Sequence, residues 1–103
     1  MSLSDRSLKR LLWWLLRGSR GGFIRAKTIE TLKETPCNVN QIAKVLEVSW
    51  GTMKHHIRVL EENGLITHEG DGYGKTYFLS SEIEEKYVMF EDIMAAQDLK
   101  KKR

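Results

Sequence analysis

Residues 40–79, NQIAKVLEVSWGTMKHHIRVLEENGLITHEGDGYGKTYFL, decide the fold. Ile42, Val45 and Leu46 mark the inward side of a short helix over 41–46, with Asn40 as its N-cap. Glu47 and Val48 make a turn. Ser49 then caps a longer helix that runs to Asn63 and is stopped by Gly64. Two helices joined by so tight a turn are the helix-turn-helix signature. Two strand-like runs follow, 65–69 and 76–79, bridged by Gly70-Asp71-Gly72-Tyr73-Gly74-Lys75. Asp-Gly between β-type segments predicts a tight hairpin turn at 71–72, because that turn demands positive φ.

Outward from this stretch, Leu8, Leu11, Leu12, Leu15 and Leu16 recur at the spacing of one helical face, which predicts a helix over 4–17 with Gly18 as C-cap. Trp13 and Trp14 project away from the leucine stripe. This helix is therefore apolar around most of its circumference and needs cover on more than one side. Gly21-Gly22 opens a second helix over 23–34, with Ile24, Ile29 and Leu32 lining a face together with Ala26 and Thr28, and it ends before Thr35-Pro36. Cys37-Asn38-Val39 reads as a very short extended piece. Ser80-Ser81 caps a final helix with Glu82, Glu84 and Glu85 in its first turn. Its Ile83, Tyr87, Phe90 and Met94 are spaced 4, 3, 4, a heptad seam.

The expected fold class is α+β and mainly helical: a winged helix-turn-helix with additional N-terminal and C-terminal helices. In this division residues 1–21 form a dimerising helix and connection, 22–81 the DNA-binding domain, and 82–103 a C-terminal dimerisation helix with a basic tail.

The bulk properties agree with one small domain. The chain has 103 residues, 41% of them apolar, enough for a small core that oligomerisation usually supplements. Net charge is +3, a hint of an acidic partner, although Lys100, Lys101, Lys102 and Arg103 supply part of it as a solvated end. Cys37 stands alone, which excludes an intramolecular disulfide, leaves a cysteine-based metal site short of ligands, and fits a cytoplasmic setting. The apolar run at 11–16 is too short for a signal peptide or a bilayer span, so no membrane association is expected.

On the helix over 49–63, Met53, Ile57 and Leu60 fall together and face the core. The opposite face carries Gly51, Lys54, His55 and Arg58, while Glu61 and Glu62 sit at the C-terminal end. That order opposes the helix dipole, which prefers acid first and base last. Phosphates and base edges near the N-terminal half would account for it. A major groove admits one helix, in which Lys or Arg donates to guanine and a Thr methyl meets thymine. The expected contacts are Ser49, Trp50, Gly51, Thr52, Lys54, His55 and Arg58. Trp50 has two places to go, against sugar-phosphate or under the turn. At the wing, Tyr73 and Lys75 are placed to reach flanking minor groove or phosphate.

Other chemistries fit less well. His55 and His56 point about 100° apart on a helix and do not share a metal; His56 reads as a core-edge histidine satisfied by a backbone oxygen. Arg17, Arg20, Arg25 and Lys27 cluster around Gly18-Ser19-Arg20-Gly21-Gly22, but a P-loop needs a Gly-Lys-Ser/Thr ending and a preceding strand. A helix start with these basic neighbours remains able to hold one DNA phosphate. No nucleophile–base pair stands out, so neither an enzyme nor a cofactor is expected.

Asn40-Gln41-Ile42-Ala43, Thr52 to Ile57, Val59 to Ile66 and Tyr73 to Leu79 together resemble the ArsR-type winged-helix regulators over residues 22–80. The chain is particularly similar to small archaeal members with a Trp-Trp helix followed by Arg-Gly-Ser-Arg-Gly-Gly, here Trp13-Trp14 and Arg17 to Gly22. The resemblance implies a homodimer on operator double-stranded DNA, contacted through Thr52, Lys54, His55, Arg58 and the wing. Metal-sensing members carry paired cysteines in the helix-turn-helix. Cys37 lies alone and before it, which speaks against a metal inducer. The effector is left unknown.

Leu11, Trp13, Trp14, Leu15, Ile83, Tyr87, Phe90 and Met94 are the expected dimerisation residues. A protein–protein adaptor without DNA specificity is the alternative function, since winged helices also present faces to proteins. A membrane-associated regulator using the Trp-rich helix ranks behind it.

Overall fold

The computed structural model describes residues 4–101, the side chains of Tyr73 and of residues 97–101 excepted. Of the basic end, Lys100 and Lys101 are described in their backbone alone, and Lys102 and Arg103 lie outside the described residues. The elements run α1 (Asp5–Leu16), α2 (Gly22–Glu34), α3 (Val39–Leu46), α4 (Trp50–Glu62), β1 (Ile66–Glu69), β2 (Thr76–Leu79), α5 (Ser81–Glu85) and α6 (Tyr87–Lys101). The fold is a mainly helical winged helix-turn-helix with one antiparallel hairpin.

The four leucines Leu8, Leu12, Leu15 and Leu16 bury one face of α1 in the same core as Ile29 and Leu32 of α2, Ile42 of α3 and Ile57 of α4. Phe90 and Ile93 of α6 close that core from the other end of the chain. Ser4 caps α1 by accepting from the Ser7 N–H, and the helix ends at Arg17 rather than Gly18. The N–H of Gly18 still closes the last turn, donating to Trp13 and Trp14 carbonyls.

The helix over 39–46 begins earlier than its sequence indicates. Asn38, not Asn40, is the N-cap: its Oδ1 accepts from the Gln41 N–H at 2.8 Å, and Gln41 Oε1 accepts from the Asn38 N–H at 2.8 Å. That reciprocal capping box satisfies two orphan donors, which a cap at Asn40 would leave open. Of the short extended piece only Cys37 remains. Its carbonyl accepts from the Tyr77 N–H at 2.9 Å, adding a one-residue bridge to the hairpin.

β1 and β2 pair with Ile66 opposite Leu79 and His68 opposite Tyr77. The connection is not a two-residue turn at Asp71-Gly72. Residues 70–75 form a wider loop around a 3-10 turn at Gly72–Gly74, with positive φ at Gly70 (91°) and Gly72 (56°) and extended backbone at Asp71. At Gly70 a side chain would meet the Gly74 carbonyl at 2.9 Å, so the loop closes only because glycine stands there.

The C-terminal segment is two helices, not one. α5 ends at Lys86, whose Nζ lies 2.6 Å from Asp5 Oδ1, and α6 starts at Tyr87. This break falls inside the 4, 3, 4 repeat. Ile83 and Phe90 are buried in the protomer's own core, as is Leu15 of α1, so these three are not free to form an exposed seam. Tyr87 is half-buried, its ring 5.1 Å from that of Phe90 and 4.8 Å from Lys33 Nζ.

Candidate nucleic-acid interface

α4 is capped by Ser49, whose Oγ accepts from the Thr52 N–H at 3.1 Å. The cap fixes where the helix starts, and its apolar face sets the rotation. Met53, Ile57 and Leu60 are fully buried, while Ser49, Trp50, Gly51, Thr52, His55 and Arg58 are exposed. Lys54 is half-buried at the side of this face. No acid stands in the first turn, so the positive end of the helix dipole and two cations share one surface. Trp50, 48% exposed, is on the surface rather than under the turn.

A narrow cleft separates α4 from the wing. Asn38 and Asn40 at the start of α3, Trp50 and Lys54 of α4, and Lys75 and Tyr77 of the hairpin line it. Lys75 is half-buried and lines this cleft together with Lys54, rather than standing out at a loop tip. Tyr73 has its backbone in the 3-10 turn, and its side chain is outside the described residues. Tyr77 is fully buried, its hydroxyl has no partner among the described residues, and burial pushes its ionisation upward.

Two ties absent from the sequence reading hold the hairpin and the recognition helix in place. His68 of β1 donates from Nδ1 to Glu61 Oε2 near the end of α4, at 2.5 Å. On the other side, His56 is buried as expected, but its partner is not a backbone oxygen. Arg25 Nε donates to His56 Nδ1 at 3.3 Å, and Arg25 Nη1 donates to Ser19 Oγ (2.9 Å) and to the Leu15 carbonyl (3.2 Å). Burial first, then the Arg25 charge and His55, hold His56 below the ordinary histidine range. Arg25 is thus withdrawn from the basic cluster around the first connection. Arg17 stacks over Trp13, its guanidinium carbon 4.6 Å from the ring centroid. No local signal in the sequence marks the Arg25–His56 pair, whose members stand 31 residues apart.

This arrangement, an exposed cation-bearing helix seated beside a two-stranded wing, defines the winged-helix class. The chain belongs to the family described as Methanogenesis regulatory protein FilR1, N-terminal domain, which matches residues 15–96. The fold is shared with HlyU from Vibrio cholerae N16961 (18% identity, 94% of this chain and 97% of that one, TM-score 0.63). It is also similar to Rv0081 of M. tuberculosis (17% identity, 98% of each chain, TM-score 0.68). A third neighbour is the homodimeric winged helix-turn-helix DNA-binding domain of Mb0332 from Mycobacterium bovis, a possible ArsR-family transcriptional regulator (17% identity, 95% of this chain and 90% of that one, TM-score 0.66). The ArsR label thus attaches to a neighbour in fold, whereas the sequence match is to the FilR1 N-terminal family. No curated protein sequence matches the chain.

Proposed function

We propose that the chain is a homodimeric transcription regulator that binds double-stranded DNA sequence-specifically, with α4 in the major groove and the hairpin on flanking DNA. The observation that carries this is the division of α4: Met53, Ile57 and Leu60 sealed in the core, and Thr52, His55 and Arg58 exposed around the cationic N-terminal half. Arg58 and Thr52 supply base-edge contacts, and Lys54 and Lys75 flank a cleft suited to a backbone phosphate. Family membership and the regulator neighbours support this reading. Such a regulator works in the cytoplasm beside its DNA. No helix among the described residues is long and apolar enough to cross a membrane.

The dimer interface combines α1 and α6 through residues left uncovered in the protomer. Trp14 (58% exposed) and Val88 (66% exposed) are the apolar ones, with Trp13 partly covered by Arg17 and Leu11, Tyr87 and Met94 half-buried. Two recognition helices related by a two-fold axis would reach major grooves about 34 Å apart.

Selection of a binding site from random duplexes, followed by titration of Arg58→Ala and Lys54→Ala at two salt concentrations, tests the assignment. Weaker binding by both variants is expected. Unchanged affinity in both would reject α4 as the reading helix.

A further inference from the structure

The Arg-Gly-Ser-Arg-Gly-Gly segment is absorbed neither by the core nor by the DNA-facing surface. Its geometry shows what it closes on. Gly21 has a φ of 87° and packs against the back of α4, where a Cβ would lie 2.4 Å from His56 Cε1. At Gly22 a Cβ would lie 2.3 Å from the Leu16 carbonyl oxygen. Only two glycines allow the connection between α1 and α2 to approach both helices so closely. Ser19 Oγ donates to the Leu15 carbonyl at 3.3 Å and accepts from Arg25, so the loop is held from within.

Arg25 is the centre of this arrangement. It is only 7% exposed, yet it carries a charge, and its three hydrogen bonds reach the end of α1, the connection and α4. An apolar side chain of similar volume would fill such a site with less desolvation cost. What an apolar residue would not supply is direction. The fork fixes three elements at set angles, and His56 is one residue from the DNA-facing His55, their ring centroids 5.0 Å apart.

We propose that Arg25 and His56 are positioning residues for the recognition helix: they set the angle of α4 relative to α1, and so govern the preference for specific over non-specific DNA. The proposal rests on the DNA-binding reading above. Base-edge hydrogen bonds depend on placement within fractions of an ångström, whereas phosphate attraction is tolerant of it. Loosening the bracket therefore weakens operator binding and leaves non-specific binding in place.

The test compares wild type with Arg25→Lys, His56→Leu and His56→Asn. Lysine keeps the charge and loses the fork; leucine keeps bulk and loses the acceptor; asparagine places an oxygen where Nδ1 stood. Melting curves establish that each is folded, and affinities for the selected operator and a scrambled duplex are measured at one salt concentration. Arg25→Lys and His56→Leu should lose about tenfold in operator affinity and change by less than about twofold on scrambled DNA. His56→Asn should resemble wild type. A retained operator preference in the first two, or equal loss in both His56 variants, overturns the proposal; if Arg25→Lys does not fold, the His56 pair decides it. Amide NMR spectra of the free proteins separate the two readings. If wild type shows no operator preference, the DNA-binding reading fails. The bracket is then judged by residual dipolar couplings of the α1 and α4 amides, which must report a changed angle between the two helices in His56→Leu and the wild-type angle in His56→Asn. An unchanged angle in His56→Leu overturns it.

Discussion

Arg58 and Lys54 differ in placement although both lie on α4. Arg58 is exposed and free to enter a groove, while Lys54 is half-buried beside Lys75 in the cleft under the wing. Arg58→Ala should therefore cost about 1–3 kcal/mol of operator binding and relax the preference at one base pair, whereas Lys54→Ala should weaken all sequences alike and lower the salt slope by about one. Titrations against operator variants and over a salt series read the two effects separately. His56 makes a second prediction at this scale. Its folded-state ionisation lies below the free value of about 6.5, with burial as the leading cause and Arg25 next. As pH drops below that value, the unfolded chain takes up a proton that the folded chain resists. Stability then falls with falling pH, and the loss levels off below the folded-state pKa. Urea midpoints measured between about pH 8 and pH 5 should show this slope in wild type and a shallower one in His56→Asn.

At the scale of elements, the capping box places the start of α3. Asn38→Ala removes an acceptor used by the helix and should cost about 1 kcal/mol, lowering Tm by roughly 4–8 °C, while Asn40→Ala, at an exposed position inside the first turn, should leave Tm nearly unchanged. Equal effects from both would contradict the cap. The helix was legible because Ile42 and Leu46 are periodic; its first residue was not, because Asn38 and Asn40 are equally good caps by type and only the reach of Gln41 chooses between them. The same holds for the hairpin, whose strands were readable from alternation. Its loop conformation depended on the Gly70 approach to the Gly74 carbonyl, a contact between backbones that residue types do not announce.

For the whole molecule the question is which apolar residues are left for a partner. Trp14 is 58% exposed and Phe90 only 1%, although both lie on the terminal helices. In sedimentation at micromolar concentration the wild type should be a dimer. Trp14→Glu should yield a folded monomer whose Tm is lower only by the stabilisation that association adds, because little surface within the protomer is lost. Phe90→Glu should instead fail to fold, since it would bury an unpaired carboxylate. A wild type that remains monomeric would sink the dimer proposed here. The chain's long-range ties follow a common pattern: Lys86, at the break between α5 and α6, pairs with Asp5 of α1, and Lys33 to Glu84 joins α2 to α5.

The sequence by itself determined the order of elements, the cap and rotation of the recognition helix, and the outward placement of Gly51, His55 and Arg58, because periodicity and capping act within a few residues of chain; Lys54, read on the same face, is half-buried at its side. It did not determine which apolar residues are covered. A heptad spacing looks the same whether its residues face a partner or the chain's own core, and the break at Lys86 that directs Ile83 and Phe90 inward accompanies a contact with Asp5, 81 positions away. Nor did it pair Arg25 with His56, 31 residues apart. Only the packing of α1, α2 and α4 around two glycines brings that fork and that ring together, since burial forces a charged group to find whichever acceptor the fold places within reach.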